Sequence, residues 1–134
     1  MSSPSPTSGA RVFLAIGALI MLGTGALFLL RPETLTDGMG VELPTAAGRT
    51  DVRATYGGIL AGIGVYLAWA AATPARVYGG LVAAGAVSVC AALARVVGFV
   101  AEGGVDVRNL IFGTIELGLG VFALILAWRS RPGR

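Results

Sequence analysis

The stretch that most constrains this chain is Leu110–Trp128, LIFGTIELGLGVFALILAW, nineteen residues that are apolar except for Thr114 and Glu116. About 20 apolar residues are what an α-helix needs to cross a bilayer. A lone carboxylate inside such a helix is costly unless a partner or a water-filled neighbour accompanies it. The rest of the sequence must therefore supply other spans and a partner for Glu116. The whole-chain composition agrees: of 134 residues, 55% are hydrophobic and 13% charged. A soluble domain carries about twice that charge.

Three further apolar runs stand out. Val12–Leu30 is nineteen uncharged residues between Arg11 and Arg31-Pro32. A cleaved signal peptide is the rival reading, but its apolar core should run for about 7–15 residues and end at small residues. This run is longer and ends Phe28-Leu29-Leu30-Arg31-Pro32, so it is read as a retained first span. Ala54–Thr73 is the second span, stopped by Pro74, and Val77–Ala101 is the third, with Arg95 inside it. Residues 1–11 are expected to be a disordered tail, because Met1–Ala10 is rich in Ser, Pro, Thr and Gly. Residues 129–134 form a basic C-terminal tail. Pro32–Val52 is the one sizeable loop, with breakers Gly38, Gly40, Pro44 and Gly48. It is expected to hold turns and one short surface helix. Asp51 is the expected N-cap of span two. The expected architecture is all-α: an integral membrane protein, a four-helix transmembrane bundle spanning 12–128 as one domain.

Charge and residue types exclude several functions. All ten basic residues are arginine, scattered singly, with no basic stripe carrying interleaved aromatics, so no nucleic acid is expected as a partner. The absence of histidine removes the commonest general base, the usual zinc ligand and any Ser-His triad. Cys90 is the only cysteine and behaves as a small apolar residue. No enzyme activity, cofactor or metal is expected. The expected partners are the lipid bilayer and, beyond it, a second copy or another membrane protein. With four spans, Arg11, Arg76, Arg129, Arg131 and Arg134 share one side, against Arg31, Arg49, Arg53 and Arg108 on the other. The excess favours a plasma-membrane protein with both termini in the cytoplasm. Trp69, Tyr78 and Trp128 fit an aromatic belt at that side.

An internal repeat links two spans. Tyr56–Tyr66, YGGILAGIGVY, matches Phe112–Phe122, FGTIELGLGVF, at an offset of 56 with five of eleven positions identical. Chance similarity between glycine-rich membrane helices is one reading. The other is a duplication that makes the bundle two tandem helical hairpins, related by an axis along the membrane normal. In that reading Leu60 stands opposite Glu116.

Arg95 and Glu116 are the natural partners. Arg95 precedes the end of span three by six residues and Glu116 follows Asn109 by seven, so each lies about 10 Å below the same surface. Arg95 shares a face with Ala84, Ser88, Ala91 and Ala92; Glu116 shares one with Gly120, Ala123 and Ala127; Arg53 shares one with Gly57, Gly64 and Ala68. Small residues mark helix–helix interfaces in membranes, so the charges face neighbours rather than lipid. Arg53 should snorkel to the interface, with Asp51, Glu102 and Asp106 as its partners in a polar vestibule above the pair. Two readings of the pair stand. One is a structural ion pair. The other is a solute or proton pathway containing Glu116. Arginine does not release its proton, and a guanidinium favours the charged form of a neighbouring carboxylate, which suits a fixed anchor better than a proton carrier.

Three pieces together resemble a known family: Asp51-Val52-Arg53-Ala54-Thr55-Tyr56-Gly57-Gly58, then Arg95-Val96-Val97-Gly98 with Glu102-Gly103, then Glu116. They resemble the small bacterial four-span membrane proteins of domain-of-unknown-function family 4345, with a more distant likeness to DoxX-like proteins. The resemblance spans Val12 to about Trp128. Ala94 stands where glycine is usual in that family, and Glu102 where aspartate is. The resemblance implies the four-span architecture and adds Tyr56 to the candidate polar set of Arg53, Arg95, Glu116, Asp51 and Glu102. It implies no activity.

Overall fold

A computed structural model describes residues 6–131. Every regular element in it is helical: α1 (Pro6–Leu30), α2 (Pro32–Gly38), α3 (Ala46–Val52), α4 (Ile59–Ala72), α5 (Val77–Glu102) and α6 (Val107–Arg129). Between α3 and α4 a π-helical turn, Arg53–Gly58, keeps the helix continuous. Four segments are long and apolar enough to cross a membrane: Ser8–Leu30, Ala46–Ala72, Pro74–Glu102 and Val107–Arg129. The chain is a multi-pass membrane protein of all-α architecture.

Several boundaries differ from those read in the sequence, each for a local reason. The expected tail is helical from Pro6, and Ala10 is fully buried, so the disorder expected through residue 11 is corrected from Pro6 onward. Proline suits a first helical turn, where its missing N–H has no helical acceptor to lose. Residues 1–5 and 132–134 lie outside the described residues. The cap of the second span is Thr45, whose hydroxyl accepts from the Gly48 amide at 3.0 Å. Asp51 is therefore inside α3 and exposed, and the expected N-cap role is corrected. Of the expected loop, Pro32–Gly38 is the short helix α2, and Ala46–Val52 is the first part of the second span. The fourth span begins three residues early because Asp106 caps it, accepting from the Asn109 amide at 2.9 Å. Gly103 ends α5 at φ 66°, a left-handed conformation that glycine adopts without steric cost.

The bundle is built from two tight hairpins. The α1–α4 hairpin closes through glycine: a Cβ at Gly25 would stand 2.7 Å from the Ala61 amide nitrogen, and one at Gly64 would stand 2.7 Å from Leu22 Cγ and 3.1 Å from the Ala18 carbonyl oxygen. The α5–α6 hairpin repeats the device. A Cβ at Gly120 would stand 2.8 Å from Val89 Cγ2 and 3.2 Å from the Gly85 carbonyl oxygen. Gly64 and Gly120 are equivalent in the 56-residue repeat, and so are Gly57, packed on Leu29, and Gly113, packed on the Arg95 stem. Leu60 stands opposite Glu116 in the repeat, and Gly57 meets a leucine where Gly113 meets the Arg95 stem. Without a hydrophobic drive between helices in lipid, such close backbone approach is what holds spans together.

The hairpins join at one end. Ala10, Leu14 and Ala18 of α1, Leu67, Ala70 and Ala71 of α4, Val77 and Leu81 of α5 and Ala127 of α6 make one buried cluster. Phe13 and Phe122 meet edge to face with centroids 5.4 Å apart, tying α1 to α6. At this end Arg11 donates to the carbonyls of Ala71 (2.8 Å) and Ala72 (3.3 Å), capping α4. Arginine at a helix C-terminus satisfies orphan carbonyls and meets the negative end of the helix dipole. Arg76 lies over the Trp69 ring, 4.1 Å from its centroid.

Candidate functional site

Helices α5 and α6 bring Arg95 and Glu116 together as the sequence predicts. Arg95 Nε donates to Glu116 Oε2 and Arg95 Nη2 to Glu116 Oε1, both at 2.8 Å. This is the two-pronged guanidinium–carboxylate geometry, the strongest form of charge-assisted hydrogen bond between side chains. The third nitrogen, Nη1, donates to Asn109 Oδ1 at 2.5 Å. Asn109 Nδ2 donates to Asp106 Oδ1 at 3.2 Å, the same oxygen that caps α6. A chain of hydrogen bonds therefore runs from the α6 N-cap at the surface to Glu116 within the span. The Phe112 ring covers the Arg95 guanidinium at 5.5 Å. The side chains of Arg95 and Glu116 stay 29% and 25% exposed, so the pair is partly buried.

The packing faces explain the encounter. Ala92 on α5 and Gly120, Ala123 and Ala127 on α6 are buried, and Gly113 leaves room for the Arg95 stem, which would lie 3.3 Å from a Cβ there. Asn109, seven residues before Glu116, was missed in the sequence reading. Its place on the Glu116 face at a step of seven was the available signal.

The other sequence-named residues lie elsewhere. Arg53 donates from Nε to the Leu29 carbonyl at 3.0 Å, satisfying the end of α1. The expected acidic rim around Arg53 is thus corrected. Among the described residues the ion pairs are Arg95–Glu116 and Arg49–Glu33, at 3.7 Å, and Arg53 is in neither. Asp106 serves the α6 cap instead, and Asp51 and Glu102 are exposed. Tyr56 stacks on Phe28 with centroids 5.3 Å apart, so Arg53 and Tyr56 bind the π-turn to α1. Gly57 and Gly64 face α1 as expected, but Ala68 is exposed. Arg108 donates to the Gly38 carbonyl and ties the loop of the first hairpin to the second. No cluster of three or more metal-ligating side chains occurs among the described residues.

No curated protein and no solved structure matches the chain. The sequence profile of a family described as a domain of unknown function, DUF4345, matches residues 9–128, which include every helix that forms the hairpins except the first residues of α1 and the last of α6. The chain belongs to this DUF4345 family.

Proposed function

We propose that the protein is a non-enzymatic membrane subunit, binding or accessory in role, in which the Arg95–Glu116 pair is a fixed brace between α5 and α6. The observation that carries this reading is the fork itself. Both carboxylate oxygens of Glu116 accept from Arg95, and the remaining guanidinium nitrogen is engaged by Asn109. A carboxylate held by two charge-assisted bonds to a group that keeps its proton is favoured in its charged form and has no proton-exchanging partner in that group. The second reading, a small-solute or proton-coupled carrier with Glu116 in the pathway, draws on the quarter exposure of both side chains.

Proton flux separates the two. Vesicles of phosphatidylcholine and phosphatidylglycerol containing the full chain and an entrapped pH-sensitive dye are given a pH step. Wild type and Glu116→Gln should collapse the gradient at the same rate as protein-free vesicles. A flux present in wild type and lost in Glu116→Gln would establish the carrier reading and overturn the brace.

The orientation belongs to the same proposal: both termini on the cytoplasmic side of the plasma membrane, supported by the arginine excess at that end. In a Cys90→Ala background, a membrane-impermeant thiol reagent added outside should modify a cysteine at Thr45 and spare one at Ser130. The opposite pattern would invert the orientation.

A further inference from the structure

All four spans contribute to one cavity that the ion pair does not use. Its volume is about 220 Å³, and its wall includes Phe13 and Gly17 of α1, Ile63 and Leu67 of α4, Ser88 of α5 and Leu119 of α6. Every lining residue is apolar except Ser88. Apolar cavities of about 150 Å³ stay dry and accept small hydrocarbons, so a larger one within a bilayer has hydrocarbon rather than water as its natural filling.

Its depth and the charges above it identify the hydrocarbon. Leu67 lies five residues from the end of α4 and Ser88 eleven from the start of α5, which places the cavity about 7–16 Å below the Arg11 end of the bundle. Half of a hydrocarbon core of about 30 Å is the depth that the chains of one leaflet occupy. One turn above Leu67 on α4, Ala71 lines a recess of about 340 Å³ that Arg11, Val12 and Ala15 of α1 also line. Chain order puts Arg11, Arg76, Arg129 and Arg131 at this end of the spans, and the Asp and Glu of the described residues at or toward the other. Arg11 and Arg76 are held in place by the α4 carbonyls and by the Trp69 ring, so their charge is fixed at the surface. Basic residues fixed at the membrane surface favour anionic headgroups.

We propose that this cavity seats one acyl chain of an anionic phospholipid from the leaflet at the Arg11 end, with its headgroup among Arg11, Arg76 and Arg129. The chain would wedge between the two hairpins just beyond the cluster that joins them, filling the space their packing leaves. This site is separate from the Arg95–Glu116 fork and does not depend on the brace reading.

The test is native mass spectrometry of the delipidated full chain in detergent, titrated with dioleoyl phosphatidylglycerol or dioleoyl phosphatidylcholine. One phosphatidylglycerol should be retained per chain under conditions that strip phosphatidylcholine. Gly17→Leu and Ser88→Leu each put a side chain into the cavity and should lose that lipid. A Cβ at Gly17 meets only Leu67 Cδ1 at 3.5 Å, an ordinary contact, and Ser88→Leu provides a second filling from another helix. Arg11→Gln with Arg129→Gln should abolish the preference for phosphatidylglycerol. Equal retention of the two lipids by wild type, or undiminished phosphatidylglycerol retention in both filled variants, would overturn the proposal.

Discussion

Arg95→Ala or Glu116→Ala alone is expected to lower the thermal stability of the detergent-solubilised protein markedly. Each leaves the other charge without its fork partner inside the span, and breaking a buried ion pair costs roughly 3–5 kcal/mol. The quarter exposure of both side chains places the cost toward the lower part of that range. Arg95→Leu combined with Glu116→Leu should recover most of the loss. Apolar replacement of a buried pair is often neutral or better, and Leu60 of the first hairpin already stands at the Glu116 position of the repeat. Thermal unfolding followed by circular dichroism measures all three. Single variants as stable as wild type would mean that the fork contributes nothing to the fold. A stable double variant that fails to restore a cellular phenotype would move the pair from brace to function.

The second large effect is expected at the glycine contacts, and neighbouring glycines in the same helices provide the controls. The three atoms nearest a Cβ at Gly25 are all backbone: the Ala61 nitrogen at 2.7 Å, the Gly57 carbonyl oxygen at 3.0 Å and Ala61 Cα at 3.2 Å. Backbone cannot rotate away, so Gly25→Ala must push α1 and α4 apart. Overpacking of this kind costs about 1–3 kcal/mol. Gly23, two residues earlier, has nothing within 4 Å, and Gly23→Ala should be neutral or slightly stabilising, since alanine restricts the unfolded chain. The same contrast should hold for Gly120→Ala against Gly118→Ala in α6, where only Gly120 is crowded. Equal stability of the crowded and open variants would mean that the hairpins are not held by close backbone approach.

The spans were legible because hydropathy is a property of long windows, and the ends of α1, α4 and α5 fall within a residue of the positions read from Arg31, Pro74 and Glu102. The Arg95–Glu116 contact was legible because equal depth and shared small-residue faces follow from helix geometry alone. What local sequence does not encode is which of several polar groups a long side chain reaches. Arg53 chose the Leu29 carbonyl because the end of α1 lies against the π-turn, a fact of packing between residues 24 apart. Composition also misled at Thr7-Ser8-Gly9-Ala10, which reads as a tail. Burial of Ala10 in the cluster that joins the hairpins outweighs that weak local preference, since most helical stability in proteins comes from packing. The π-turn itself left no mark in the sequence. Such turns are single-turn deviations that recur at functional sites, and here one aims Arg53 and Tyr56 at α1.

The central claim is that Arg95 and Glu116 form a fixed fork within the membrane. Its most direct test is the dipolar coupling between guanidinium ¹⁵N and carboxyl ¹³C, measured by solid-state NMR on arginine- and glutamate-labelled protein in bilayers. Nitrogen–oxygen separations of 2.8 Å on both prongs require strong dephasing of one glutamate carboxyl signal. The Glu116 share of that dephasing should vanish in Glu116→Gln and in Arg95→Leu, leaving only the weaker contribution of the Arg49–Glu33 pair. A wild-type spectrum indistinguishable from that of Glu116→Gln would contradict the fork and the brace built upon it.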